Sequence, residues 1–107
     1  MPSYMTQVSY TAEAWRTLVE HPQNRIDAVR PVVESLGGSM LHGWLSFGDY
    51  DLVAIVDLPD NVSAAAFSLA AMAGGSVKTF KTTPLLSVEE GVEAMKKAGG
   101  AGYRPPR

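Results

Sequence analysis

The segment from Tyr50 to Leu58, YDLVAIVDL, constrains this chain most, because its apolar side chains fall on both faces of a strand. A strand of that kind belongs in the interior of a sheet, where neighbouring elements cover both of its sides. Residues 39–47 form a second alternating segment, and Gly48-Asp49 joins the two. The pattern predicts an antiparallel hairpin with a tight turn.

Two further segments are typical of strands. Residues 4–10 alternate with a period of two, so that Tyr4 and Thr6 are expected on one face and Met5 on the other. Residues 76–83 alternate in the same way, and their lysines favour a position at the edge of the sheet.

Three segments have helical patterns. In the first, residues 12–36, His21-Pro22 and Pro31 are expected to bend or break the helix. The second covers residues 62–73 and is rich in alanine, whose small side chain lets a helix lie close to a sheet. The third begins after Ser87, because Ser87 and Glu90 have the spacing of a capping box, and it ends at Gly99-Gly100.

The order β-α-β-β-α-β followed by a C-terminal helix predicts the fold class. It is α+β and ferredoxin-like, with an antiparallel sheet that carries its helices on one face. We expect residues 1–98 to form the domain and residues 99–107 to form a tail that either reaches a neighbouring copy or stays disordered.

Composition narrows the possible functions. The net charge of −2 and the scattered basic residues argue against nucleic acid as a partner. With no cysteine, disulfides and thiolate chemistry are excluded, and two distant histidines form no recognisable metal cluster. No membrane-spanning or secretory segment is evident, so the expected location is cytoplasmic. We also expect no cofactor. Only 19% of residues are charged, which favours self-association into a homodimer or higher homo-oligomer.

The segment Phe47-Gly48-Asp49-Tyr50-Asp51 and the apolar strand after it resemble the signature of the GYD domain family, which is named for a Gly-x-Tyr-Asp motif. Other segments also resemble the sequence of this family, at Asn24-Arg25, Leu36-Gly37-Gly38, Leu58-Pro59-Asp60 and residues 81–86. The resemblance therefore covers about residues 3–95. It implies a dimeric α+β barrel, in which two sheets pack face to face. Related barrels include cofactor-free oxygenases, haem-degrading enzymes and small-molecule binders, and a shared fold does not choose among them.

The sheet face that the helices leave open is the best candidate for a pocket wall. Alternation in residues 39–47 places Met40, His42 and Trp44 on one face, with Tyr4 or Met5 as neighbours from the first strand. Tyr50, at the mouth of a strand, can reach the same region. The predicted ligand-binding residues are Tyr4, Thr6, His42, Trp44 and Tyr50.

His42 is the best catalytic candidate, as a general base, but the sequence favours a half-buried histidine at a subunit interface, because no other residue completes an acid–base pair with it. Asp49 and Asp51 could suggest a metal site. We instead expect no metal there, with Asp49 bonding the turn and Asp51 accepting hydrogen bonds from the backbone or an arginine. Trp44 and Phe80 are predicted to be packing or interface anchors.

Three hypotheses about function follow. The preferred one is a homo-oligomer that binds a small apolar or weakly anionic molecule at the open sheet face or the subunit interface. The second is a cofactor-free oxygenase or isomerase in which His42 acts as the base. The third is a structural oligomerisation module with no ligand.

Overall fold

The computed structural model describes residues 1–107 and contains one antiparallel sheet in the order β2-β3-β1-β4. The strands are β1 (Ser3–Tyr10), β2 (Ser39–Leu45), β3 (Leu52–Asp57) and β4 (Val77–Leu85). The helices are α1 (Ala12–Glu20), α2 (Arg25–Ser35), α3 (Asn61–Ala73) and α4 (Val88–Gly99). This order of elements and strands confirms the ferredoxin-like α+β fold and the edge position of β4.

The core lies between the sheet and the helices α2 and α3. Burial alternates along the two central strands, so that Tyr4, Thr6 and Val8 of β1 are buried while the residues between them are only half-buried. The buried apolar cluster consists of Tyr4, Val33, Met40, Ala54, Val56, Leu58, Ala64 and Phe67. Helices therefore cover one face of the sheet, and the other face meets solvent in the single chain.

Side chains at the helix starts explain where the chain turns into helix. The predicted caps Thr11 and Ser87 are confirmed, and Ser87 and Glu90 complete a capping box. The predicted break in residues 12–36 falls at 21–24, between α1 and α2. Pro31 lies within α2, which continues through it to Ser35.

Two caps also perturb the acidity of their carboxyl groups. The backbone N–H of Ser63 donates to Asp60, and this lowers the pKa of Asp60. The backbone N–H of Ser87 lowers the pKa of Glu90 in the same way. A carboxyl whose pKa falls on folding stabilises the fold above its ordinary pKa, and that contribution is lost as the pH drops through the lower folded value.

The connection between β2 and β3 is longer than the tight turn that the sequence predicts. The strands end at Leu45 and begin at Leu52, so residues 46–51 form the connection. Ser46 binds its far end twice, because its N–H donates to Asp51 O at 2.8 Å and its hydroxyl donates to Tyr50 O at 2.7 Å. Gly48, with φ of +147°, occupies a backbone conformation that favours glycine.

A β-bulge at Leu41 changes which face the β2 side chains occupy. Met40 pairs with Val56 and His42 pairs with Ile55, so Leu41 is an extra residue between them. Met40 therefore faces the helices, whereas His42 faces the open side. The prediction that Met40 and His42 share a face was wrong, because it assumed strict alternation along the strand and an inserted residue breaks that alternation.

Helix α4 and the tail after it extend away from the rest of the chain. None of the residues of α4 is buried, and the helix has no substantial packing contact with another element. The radius of gyration is 16.9 Å, compared with about 13 Å for a compact domain of roughly 100 residues. No helix has the length and apolar character that crossing a membrane requires.

Gly38 lies where the end of α2 passes the end of β3. A Cβ at this position would be 2.1 Å from Asp57 O and 2.7 Å from Leu58 Cδ2. The first of these atoms belongs to the backbone of a central strand, so it cannot move aside without disturbing the sheet.

We expect Gly38→Ala to lower the free energy of unfolding by about 3 kcal/mol, since the strand must shift to accept a methyl group. Urea denaturation followed by circular dichroism measures this change. The control is Gly74→Ala, where a Cβ would meet its nearest neighbour at an ordinary 3.4 Å and φ is −68°. Equal stability of the two variants would contradict the close packing of Gly38.

Candidate functional site

The open face of the sheet carries three rows of side chains that follow the strand register, namely a mostly polar row of Ser39, Asp57, Ser3 and Leu85 and two rows beside it. One row runs His42, Ile55, Met5 and Thr83, and the other runs Trp44, Val53, Gln7 and Lys81. The first of these two rows is apolar at its centre, at Ile55 and Met5, whereas the second places the polar Gln7 next to Val53. Met5, Val53 and Ile55 are half-buried by their neighbours within one chain.

His42 and Trp44 form an aromatic pair at one end of these rows. Their rings stack with centroids 5.6 Å apart and planes 17° from parallel. Trp44 is 54% exposed, and His42 is exposed beside it with no hydrogen bond to its ring. Within one chain, the contact that the structure shows for the His42 ring is this stacking on Trp44.

The structure separates the five predicted ligand-binding residues. His42 and Trp44 lie on the open face, but Tyr4 and Thr6 face the helices. Tyr4 is 2% exposed, and its hydroxyl donates to Asn61 Oδ1 at 2.7 Å, which ties β1 to the start of α3. The neighbour of His42 from the first strand is therefore Met5, the second of the two possibilities that the sequence leaves open.

Thr6 lies at the centre of the helix-covered face. Its hydroxyl makes one long hydrogen bond, 3.4 Å, to Ala54 O. Across the sheet, Thr6 pairs with Thr82, whose Oγ1 is buried without a hydrogen-bond partner. Phe80 also faces inward and packs edge-to-face on Phe67, at 5.4 Å between centroids. Phe80 is thus a packing residue of its own chain.

Asp51, the last residue of the Gly-x-Tyr-Asp motif, has the structural role predicted for it. Its Oδ2 accepts hydrogen bonds from the backbone N–H of Tyr10 at 2.8 Å and from Trp15 Nε1 at 3.1 Å. The backbone N–H of Asp51 donates to Val8 O at 2.7 Å. One residue therefore joins the β2–β3 connection, the end of β1 and helix α1.

The other acidic residue of the motif does not share this role. Asp49 is exposed and its side chain has no hydrogen-bond partner, so the bonding of the turn predicted for Asp49 comes from Ser46 instead. No group of three or more histidine, aspartate or glutamate side chains lies close enough to hold a metal ion. Tyr50 is half-buried, and Phe47 at the tip of the connection is 99% exposed.

A second concave region lies on the opposite side of the sheet, between α2 and α3. It has a volume of about 310 Å³, and 14 of its 18 lining residues are hydrophobic. Its floor contains Thr6, Val8 and Ala54, and Arg25 lies among its lining residues. Sequence patterns gave no signal for this cavity, because they show which residues face the helices but not how far apart the helices lie.

A four-stranded antiparallel sheet in this strand order, with its connecting helices on one side, defines the chain as a ferredoxin-like α+β domain. Within that class it belongs to the GYD domain family, whose model matches residues 4–95. The motif at residues 48–51 and the apolar strand after it lie within the matched region. No curated protein matches the chain.

Solved structures show the same fold at low sequence identity. The crystal structure of FFRP-DM1 is 14% identical, with a TM-score of 0.55 over 80% of this chain and 100% of that one. TTHA0845 from Thermus thermophilus is 17% identical, with a TM-score of 0.54 over 82% of this chain and 96% of that one. The hypothetical protein PHS023 from Pyrococcus horikoshii is 11% identical, with a TM-score of 0.51 over 81% of this chain and 92% of that one.

We expect Asp51→Ala to lower the free energy of unfolding by about 2 kcal/mol, because two N–H donors lose a charged acceptor. Asp51→Asn, which keeps one acceptor oxygen, should lose about half as much. In a Trp44→Phe background, the fluorescence of Trp15 reports whether its indole leaves the carboxylate. Asp49→Ala is the matched control, and a loss of stability as large as that of Asp51→Ala would contradict the assignment.

Proposed function

We propose that the protein is a homo-oligomeric binding domain in which the open faces of two sheets pack together as a dimeric α+β barrel. A small apolar or weakly anionic molecule binds between the sheets, beside His42 and Trp44. The observation that carries the proposal is the apolar centre of the open face, formed by Met5, Val53 and Ile55 with Trp44 beside them.

The position of this apolar strip supports association through faces. It lies on the two central strands and on β2, and no helix of the same chain covers it. Contiguous apolar side chains on a protein surface can mark an interface with another molecule. Aromatic residues and methionine are also enriched at protein interfaces, which suits Trp44 and Met5.

Helix α4 gives independent support for an oligomer. Val88, Val92 and Met95 follow helical spacing along one side of it, and all three are exposed. An isolated helix of 12 residues is only marginally stable in water. Packing of this apolar side on a second copy would supply the tertiary contacts that α4 lacks in the single chain.

The side chains of these rows suit a ligand that has both an apolar part and a polar group. Gln7 and His42 offer hydrogen-bonding groups next to Met5, Ile55 and Trp44, and a pocket with few polar groups among apolar walls is typical of small-molecule sites. Two copies facing each other would enclose these groups. The geometry thus favours binding of a molecule over an assembly with no ligand.

We expect the wild-type chain to sediment as a dimer or larger oligomer at micromolar concentration and Ile55→Glu to sediment as a folded monomer. A charge at the centre of the open face would be buried without a partner in the assembly. The control is Val19→Glu, an exposed apolar position on α1, which should leave the oligomer intact. A monomeric wild-type chain would overturn the proposed assembly.

For the ligand, we expect anilinonaphthalene sulfonate to bind the Trp15→Phe protein saturably, with energy transfer from Trp44. His42→Ala should weaken binding about tenfold, the loss of one hydrogen bond to a charged group. If the dye binds equally to His42→Ala and to the Ile55→Glu monomer, it occupies another surface. A failure to bind any such probe would favour the structural module with no ligand.

A further inference from the structure

We propose that the cavity between α2 and α3 is a second binding site, which takes a medium-length aliphatic carboxylic acid with its chain on the sheet and its carboxylate at Arg25. This site lies within a single chain, on the opposite side of the sheet from the open face. It therefore does not depend on the proposed oligomer.

Small side chains make the space. On the helix-covered face of β3, Ala54 lies between the larger Leu52 and Val56, and on β1 Thr6 lies between Tyr4 and Val8. Helix α3 contributes Ala70 and Ala71 to the wall of the cavity. Protein cores are normally packed without voids larger than a water molecule, so a row of small residues facing about 310 Å³ of space is unusual for a structural core.

The lining suits an aliphatic chain. Val8, Val29, Leu52 and Phe67 are among the apolar side chains around the cavity, and no acidic side chain lines it. At about 30 Å³ for each group the size of a water molecule, a volume of about 310 Å³ holds roughly ten non-hydrogen atoms. Octanoate has about this size, and longer acids would have to extend into solvent.

Arg25 gives the site a preference for an anion. It is the one charged residue of the lining, it is half-buried, and it begins α2. Its Nη1 donates to Gln23 Oε1 at 2.9 Å, which is a neutral partner. The single ion pair of the chain, between Arg30 and Asp27, does not include it. The guanidinium therefore has free N–H groups for the two oxygens of a carboxylate.

The cavity is also better suited to a small molecule than to a helix of a second copy. Its floor is the sheet itself, at Thr6 and Ala54, both of which are buried. A flexible hydrocarbon chain can reach side chains at that depth between two helices, whereas a helix is about 10–12 Å wide with its side chains. The Thr6 hydroxyl donates to Ala54 O at 3.4 Å, so contact with the end of an apolar chain would not leave it without a hydrogen bond.

The test is calorimetric titration of the whole chain with octanoate and, as a neutral match, octanol. We expect both to bind saturably, and octanoate to bind about tenfold more tightly because of one charge-assisted interaction. Arg25→Gln should remove that difference by weakening octanoate alone. Arg16→Gln, an exposed arginine of α1 outside the lining, is the matched control and should bind both as the wild type does.

Filling the cavity tests its location. Ala54→Ile places added volume on the floor and should abolish binding of both compounds. Where this variant fails to fold, Ala71→Leu tests the same space from the α3 side. The proposal is overturned if neither compound binds the wild type, if the folded filled variant binds as well as the wild type, or if Arg25→Gln binds octanoate normally. Loss of octanoate binding as the protein concentration rises would identify a second copy as the occupant and would also overturn it.

Discussion

The pairing of β1 with β3 determines what the two faces of this protein can do. Because Met5 lies opposite Ile55 and Thr6 lies opposite Ala54, the register brings two large apolar side chains together on the open face and two small ones together beneath the helices. A shift by one residue would exchange the two sets. Both candidate sites, the rows of the open face and the cavity under α2 and α3, therefore depend on the same hydrogen-bonded ladder.

The Gly-x-Tyr-Asp motif contributes to this ladder through its last residue. Asp51 ends the connection that leads into β3, and its carboxylate reaches the end of β1 and the indole of Trp15. The motif thus joins three separate parts of the chain near one end of the sheet. The carboxylate of Asp51 acts there as a charged hydrogen-bond acceptor that holds these parts of the domain together.

Local physics explains how much of the structure the sequence predicted. The caps at Thr11 and Ser87 depend on hydrogen bonds within a few residues, and the apolar side chains on both faces of β3 lie within one short segment. Both features were therefore predictable from the local sequence. The bulge at Leu41 was not, because one inserted residue leaves no mark in composition. The bond from Trp15 to Asp51 joins residues that are 36 positions apart, and the spacing of α2 and α3 follows from packing, so neither was accessible to pattern analysis.

The bulge has a further consequence for how copies of this protein can meet. The outer edge of β2 is interrupted at Leu41, and the outer edge of β4 carries Lys78 and Lys81 as well as Pro84, which has no N–H to donate. Neither margin is a good template for another strand. Side-by-side growth into a continuous ribbon is thereby discouraged, so that the broad surfaces of the domain, and not its edges, are where another copy could pack.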